Sequence, residues 1–199
     1  MFTGLVETLG RIDHVTSLGD GSRMTITHLG LPVAEGDSVA VNGVCSTAVD
    51  IQDNAFSVDY LPETLSKTTC DNLSKNDTVN LETALTLQTK LGGHFVTGHV
   101  DCVGDVIKFT NADELSPFGE IIVKYPKEFA AYLIPKGSIT IDGVSLTIVD
   151  LTDSTFSCHL IPETLSKTVL KDRPVGSQVN LEYDMLGKYV VRQMEVSRK

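Results

Sequence analysis

Cys45 and Thr47 stand two residues apart, and Ser145 and Thr147 repeat the spacing one hundred residues later. Residues two apart on an extended strand face one side. Each pair therefore offers one surface a thiol or hydroxyl beside a second hydroxyl. A thiolate adds to electrophilic carbon, or holds a nucleophile there. A single cysteine in an apolar strand is equally readable as a small, inert core residue. His99 adds an imidazole that titrates in the range useful for moving protons, or that serves as a satisfied structural histidine. Lys136 and Asp184 read either as polar groups at a pocket rim or as solvated charges. His94, after Gly92 and Gly93, reads as support for a loop whose glycines free the backbone.

These residues belong to a duplication. Residues 37–69 and 137–169 align without a gap, with about half the positions identical, and Pro62–Thr68 returns whole as Pro162–Thr168. Val79–Glu82 returns as Val179–Glu182, and Phe2-Thr3-Gly4-Leu5-Val6-Glu7 resembles Val96-Thr97-Gly98-His99-Val100-Asp101. Within this likeness a few positions change chemically: Cys45 to Ser145, Leu5 to His99, Asn42 to Asp142 and Ser46 to Leu146, while Thr47 stays as Thr147. Two copies of one fold make two similar pockets. Differences at matched positions point to similar ligands in unequal roles.

The positioning elements are strands. Short runs rich in Val, Ile, Thr and Phe are punctuated by Asn42-Gly43 and Asp142-Gly143, the strongest short hairpin signals, and by turns at 52–54 and 152–154. Strands at this spacing predict small closed antiparallel barrels, since closure removes sticky edges. PETLSKT predicts a short helix across each barrel mouth, with proline in its first turn and glutamate at its positive end. It either presents free N–H groups to a ligand or plugs the barrel. In the tail, Leu186, Tyr189, Val190, Gln193 and Met194 form one helical stripe outside the repeat, free for a partner chain or for its own domain. The expected division is residues 1–95, 96–186 and a C-terminal trimerisation helix at 187–199.

The bulk numbers narrow the function classes. A net charge of −10 argues against nucleic acid and anionic membranes as partners. The basic run at 196–199 reads as a solvated chain end. No apolar stretch reaches the length of a membrane span, and no secretory signal is read at the start. Four cysteines without CxxC spacing fit reduced thiols and a cytoplasmic location. No HExxH, Walker A or GxGxxG run supports a metal, a nucleotide or a nicotinamide cofactor.

The runs MFTGLVE, VNGVCST, GGHFVTGHVD, KGSITIDGVSLT, IPETLSKT and VNLEYD together resemble the alpha-type riboflavin synthase family, over essentially the whole chain. The resemblance implies an all-β fold: two tandem six-stranded antiparallel barrels of Greek-key type, with short capping helices, a C-terminal helix and assembly as a homotrimer. It implies dismutation of two 6,7-dimethyl-8-ribityllumazine molecules to riboflavin and 5-amino-6-ribitylaminopyrimidinedione, without cofactor or metal. The family's catalytic positions fall on Ser38, Cys45, His99, Ser145, Thr147 and Asp184, with Thr147 of a neighbouring chain as the partner of His99. Ligand-lining positions fall on Gly4, Leu5 and Val6; on Cys45, Ser46 and Thr47; and on Asp59, Tyr60, Leu61, Pro62, Glu63 and Thr64. They continue at Gly98, His99 and Val100; at Lys136, Ser145, Leu146 and Thr147; and at Leu160, Ile161, Pro162, Glu163, Thr164 and Leu165. One departure is Ser46, where the family carries leucine. The family includes non-catalytic lumazine or flavin antenna proteins. These predict binding without turnover and erosion of the second pocket, against which Ser145, Thr147 and the second PETLSKT stand.

Overall fold

The structure, a computed structural model, describes residues 1–112 and 116–197, so Arg198 and Lys199 of the predicted tail lie outside the described residues. Among the described residues thirteen strands form two sheets. The first half contributes β1 (Thr8–Leu18), β2 (Gly21–His28), β3 (Ser38–Val41), β4 (Val44–Thr47), β5 (Val49–Gln52), β6 (Ala55–Tyr60) and β7 (Thr78–Thr83), hydrogen-bonded in the order β4-β3-β7-β1-β2-β6-β5. The second contributes β8 (Cys102–Thr110), β9 (Gly119–Lys124), β10 (Ser138–Ile141), β11 (Val144–Leu151), β12 (Thr155–Leu160) and β13 (Gln178–Tyr183), a closed barrel in the order β10-β11-β12-β9-β8-β13. The first sheet has seven strands rather than six because the counterpart of β11 is interrupted at Ala48. Its two end strands, β4 and β5, are consecutive in the chain.

Both hairpins form where the turn residues predict them. Asn42 and Gly43 have φ of 46° and 80°, Asp142 and Gly143 of 47° and 80°, as a two-residue turn between twisted strands requires. Val41 then pairs with Val44, and Ile141 with Val144. Side chains alternate: Val39, Val41, Val44 and Ser46 point into the first barrel, and Ile139, Ile141, Val144 and Leu146 into the second. Met24, Ile26, Phe56, Val58 and Leu81 complete one core, and Ile121, Val123, Phe156, Leu160 and Leu181 the other. The short helices α1 (Pro62–Lys67) and α2 (Pro162–Lys167) bury no residue of their own. The fully buried Cys70 and Leu170 follow them, in one-turn 3-10 segments where the Thr68 and Thr168 hydroxyls accept the Cys70 and Leu170 N–H groups.

The halves meet about a local two-fold relation. A Cβ on Gly43 would lie 2.6 Å from the Gly143 nitrogen, and one on Gly143 2.7 Å from that of Gly43. Only glycine fits such an approach. Asn80 crosses from β7 to accept the Val169 N–H and donate to the Asp142 carbonyl, while Asn180 accepts from Thr69 and donates to the Asn42 carbonyl, all at 2.8–2.9 Å. The Asn42-to-Asp142 difference, read from sequence as a pocket difference, therefore belongs to this interface. The fully buried Asp142 is paired with Arg173 Nε at 2.8 Å and Nη2 at 2.7 Å.

The tail helix α3 runs over Met185–Ser197 and starts two residues earlier than expected, because Asp184 Oδ1 accepts the Leu186 N–H at 2.9 Å and caps it. None of its residues is buried, and Leu186, Tyr189, Val190 and Met194 are each at least half exposed. The stripe is not covered by its own chain. Among the described residues no helix is long and apolar enough to cross a membrane.

Candidate active site

The candidate residues stand on the outer faces of the two hairpins. Ser38 pairs with Thr47 and Ala40 with Cys45, so these four side chains share one face, opposite to the core-facing Val39, Val44 and Ser46. Ser138 pairs with Thr147 and Thr140 with Ser145, which gives the second half the same layout. Beside each hairpin, β7 or β13 supplies a buried carboxylate: Glu82 lies opposite Ala40, and Glu182 opposite Thr140.

Each carboxylate grips a Thr-Gly pair. Glu82 Oε1 accepts the Thr3 N–H at 2.6 Å and the Thr3 hydroxyl at 2.7 Å, and Oε2 accepts the Gly4 N–H at 3.0 Å. Glu182 does the same for Thr97 and Gly98 at 2.7, 2.6 and 2.9 Å. Burial raises both carboxyls above the usual range, and the donors they accept pull them back.

The grips are crossed. Gly4, held by Glu82 of the first half, accepts the N–H of Ser145 in the second at 2.8 Å. Gly98, held by Glu182 of the second half, accepts the N–H of Cys45 in the first at 2.8 Å. Phe2 and Val96 bridge the two segments. Both glycines have positive φ, and a Cβ on either would lie 2.6 Å from the Cβ of Ser145 or Cys45. Val6 accordingly packs on the second core and Val100 on the first. His99 therefore arrives beside Cys45, and Leu5 beside Ser145. Within one chain, His99 and Thr147 lie on different faces.

The remaining predicted positions sort by orientation. Ser46, Tyr60, Leu146 and Leu160 are buried with their side chains toward the cores, whereas Asp59, Leu61, Pro62, Glu63, Ile161, Pro162, Glu163 and Lys136 are exposed. Thr64, Thr164 and Leu165 are half-buried in the helices. Arg23 clamps Asp59 through Nε at 2.6 Å and Nη2 at 2.7 Å, and this pair holds the Asp59 carboxyl below its usual range. Ser46 has a structural reason: its hydroxyl donates to the Val44 carbonyl at 3.0 Å and lies 2.9 Å from the Tyr60 hydroxyl, above buried Cys70. The matching positions in the second barrel are Leu146, Leu160 and Leu170, so a polar trio replaces three leucines as a set. Lys136 holds φ of 66°, where the first copy uses Gly36 at 86°. A non-glycine residue there costs about 1 kcal/mol.

Sequence reasoning missed the two grip carboxylates, although the repeated Thr-Gly and Val-Asn-Leu-Glu runs were their signal. The expected loop residue His94 places its Nδ1 2.8 Å from Ser145 Oγ. One concavity, about 710 Å³, lies between the halves near Asn72, Asp77, Asp105 and Arg173 and contains none of the candidate residues. A smaller cleft of about 330 Å³ joins His99 and Thr97 to Met185, Lys188, Tyr189 and Arg192 of α3. On the two faces Cys45 and Ser145 are half-buried, and Thr47 and Thr147 are exposed. Among the described residues no three of His, Cys, Asp or Glu are grouped as metal ligands.

The lumazine binding domain family matches this chain twice, over residues 3–84 and 97–184. The riboflavin synthase of Bacillus subtilis is 42% identical over 194 residues, covering 96% of this chain and 89% of that protein. That of Mycobacterium tuberculosis is 41% identical over 201 residues, covering 98% of each, and that of Schizosaccharomyces pombe 38% identical over 200 residues, covering 98% and 94%. Among solved structures, LumP complexed with 6,7-dimethyl-8-(1'-D-ribityl) lumazine superposes with a TM-score of 0.81 at 27% identity, covering 92% of this chain and 99% of that one. LumP complexed with riboflavin gives 0.81 at 29% identity, with the same coverage.

Proposed function

Since the chain belongs to the riboflavin synthase family, with both lumazine-binding domains in one polypeptide, we propose that it converts two molecules of 6,7-dimethyl-8-ribityllumazine into one riboflavin and one 5-amino-6-ribitylaminopyrimidinedione. The observation that carries this reading is the pair of matched faces with unequal chemistry. One presents Ser38, Cys45 and Thr47 beside His99, and the other Ser145 and Thr147 beside Leu5. Each face holds one lumazine. One molecule gives up four carbons and the other receives them.

Thr47 and Thr147 are exposed on the two faces, so a second chain laid over them closes a site that holds two stacked ligands. The uncovered stripe of α3 supports a homotrimer in which the Cys45 face of one chain meets the Ser145 face of the next. The division of labour is residues 1–95 and 96–186 for the two ligands and 187–199 for assembly, in the cytoplasm and with no nucleic-acid or membrane partner. Approximation then supplies much of the rate, because two large reactants are held face to face. The step that needs a base is removal of a proton from the acidic C7 methyl, and His99 assists it with Thr147 of the neighbouring chain nearby. Cys45, or a nucleophile it holds, adds at the electrophilic C7 of the partner molecule. Lys136 and Asp184 stand at the rim of the second pocket, and segments 59–64 and 160–165 line the ligands mainly through backbone groups.

The test is to give the purified chain the lumazine alone and follow riboflavin, which should form at one per two lumazines consumed. Binding without any riboflavin would mean an antenna protein. Co-refolding His99→Ala chains with chains carrying both Ser145→Ala and Thr147→Ala tests the shared site. Mixed trimers contain some intact pairs of faces and should regain part of the activity. Mixed trimers that form but stay inactive would refute the sharing.

A further inference from the structure

Cys45 and Ser145 occupy matched positions, but only Ser145 has a side-chain hydrogen-bond partner among the described residues. His94 reaches it through a tightly built loop. A Cβ on Gly93 would lie 2.1 Å from the Thr3 carbonyl oxygen and 2.9 Å from the Ser145 Cβ, so this position admits only glycine. The His94 N–H donates to the same Thr3 carbonyl at 3.2 Å, and Glu82 grips Thr3. The backbone is thus fixed on both sides of the imidazole, and Nδ1 comes within 2.8 Å of Ser145 Oγ. The imidazole is half-buried. Burial lowers its pKa, the charge of Asp184 acts in the opposite sense, and the neutral ring predominates at pH 7 and above. A neutral ring with its hydrogen on Nε2 accepts the Ser145 hydroxyl at Nδ1.

We propose that His94 is a positioning residue for the second half of the site: it takes the Ser145 hydroxyl hydrogen and leaves Oγ as an acceptor toward the bound lumazine or a water beside it. This rests on the reading of Ser145 as a pocket residue. It also accounts for the difference between the copies. A hydroxyl is a firm donor that an imidazole can orient, whereas a thiol is a weak one. Among the described residues no histidine side chain is hydrogen-bonded to Cys45, and the hydrogen bond His99 makes there runs from its backbone N–H to the Thr97 hydroxyl.

The test is a double-mutant cycle on the full chain with lumazine turnover as the readout. His94→Ala should lower kcat about tenfold, the value of one well-placed hydrogen bond, with KM changing much less. His94→Asn places an amide group where Nδ1 was and should recover most of the loss. His94→Gln places it where Nε2 was and should not. In a Ser145→Ala background, His94→Ala and His94→Gln should each cost less than about twofold more, since their target is gone. If His94→Ala does not fold, the Gln and Asn variants carry the same comparison. Losses that multiply, an unchanged kcat in His94→Gln, or equal rates for Asn and Gln would overturn the role of His94 while leaving Ser145 in the site. Full activity of Ser145→Ala would overturn both.

Discussion

Glu182→Gln should loosen the pocket of the other half of the molecule. Its carboxylate, 3% exposed, accepts the Thr97 N–H and hydroxyl on one oxygen and the Gly98 N–H on the other. Glutamine keeps an oxygen for Thr97 but turns an NH₂ donor toward the Gly98 N–H. One bond to a charged acceptor is lost, and two become bonds to a neutral one. With charged bonds at about 1.5–3 kcal/mol and neutral ones at about 0.5–1.5 kcal/mol, the gross loss is about 4 kcal/mol. Burial, which pushes the Glu182 carboxyl up, works the other way, because an amide has no charge to desolvate. A net cost of about 2–3 kcal/mol, or about 5–10 °C in midpoint for a chain of this size, is the expectation. The released segment is the one laid on Cys45, so maleimide labelling at Cys45, mapped by mass spectrometry, should accelerate about tenfold through local opening. Glu82→Gln is the control. It has the same chemistry and a similar midpoint, but frees Gly4 from Ser145 and should leave Cys45 labelling unchanged. Equal acceleration by both variants, or none by Glu182→Gln despite its lower midpoint, would refute the crossed arrangement.

Cys45→Ser should lower kcat far more than it lowers riboflavin affinity, whereas Ser145→Cys should be milder. Parallel loss of binding and turnover would make Cys45 a packing residue. Deleting the chain after Leu186 removes the exposed stripe at Tyr189, Val190 and Met194 and should give inactive monomers by light scattering. A fully active monomer would contradict the shared site. Tyr60→Phe removes the hydroxyl beside Ser46 and should cost about 1 kcal/mol in urea denaturation. No change would mean the polar trio holds nothing. Burial lowers the pKa of His28 and His94, so the unfolded chain binds their protons first. Their contribution to stability is complete above the unfolded value of about 6.5 and is lost as pH falls through the lowered folded values. The two histidines should therefore cost stability between pH 7.5 and 5, against the raised Glu82 and Glu182 carboxyls, which act in the opposite sense, and replacing both histidines with Asn should remove their share of the pH dependence.

Much of this architecture is local and was legible in the chain. Asn-Gly and Asp-Gly fix the hairpins by the φ values they tolerate. Alternation puts Cys45 with Thr47 and Ser145 with Thr147 on outer faces, because the strand period is two. The duplication itself announces two like barrels. The pairing of segments with faces was not legible. Sequence similarity assigns Gly4 to the first copy and Gly98 to the second, but each completes the face of the opposite copy, through hydrogen bonds to Ser145 and Cys45 across the joint between the barrels. Ser46 looked like a lone departure until Tyr60 and Cys70 came beneath it. His94 looked like a linker until the loop set it on Ser145. The strands, the turns and the sharing of faces between side chains are written in the chain, since those depend on neighbours a few residues away. The tertiary structure decided which groups meet, since the two halves dock through glycines and buried asparagines, and contacts between residues so far apart in the chain leave no periodic trace in it.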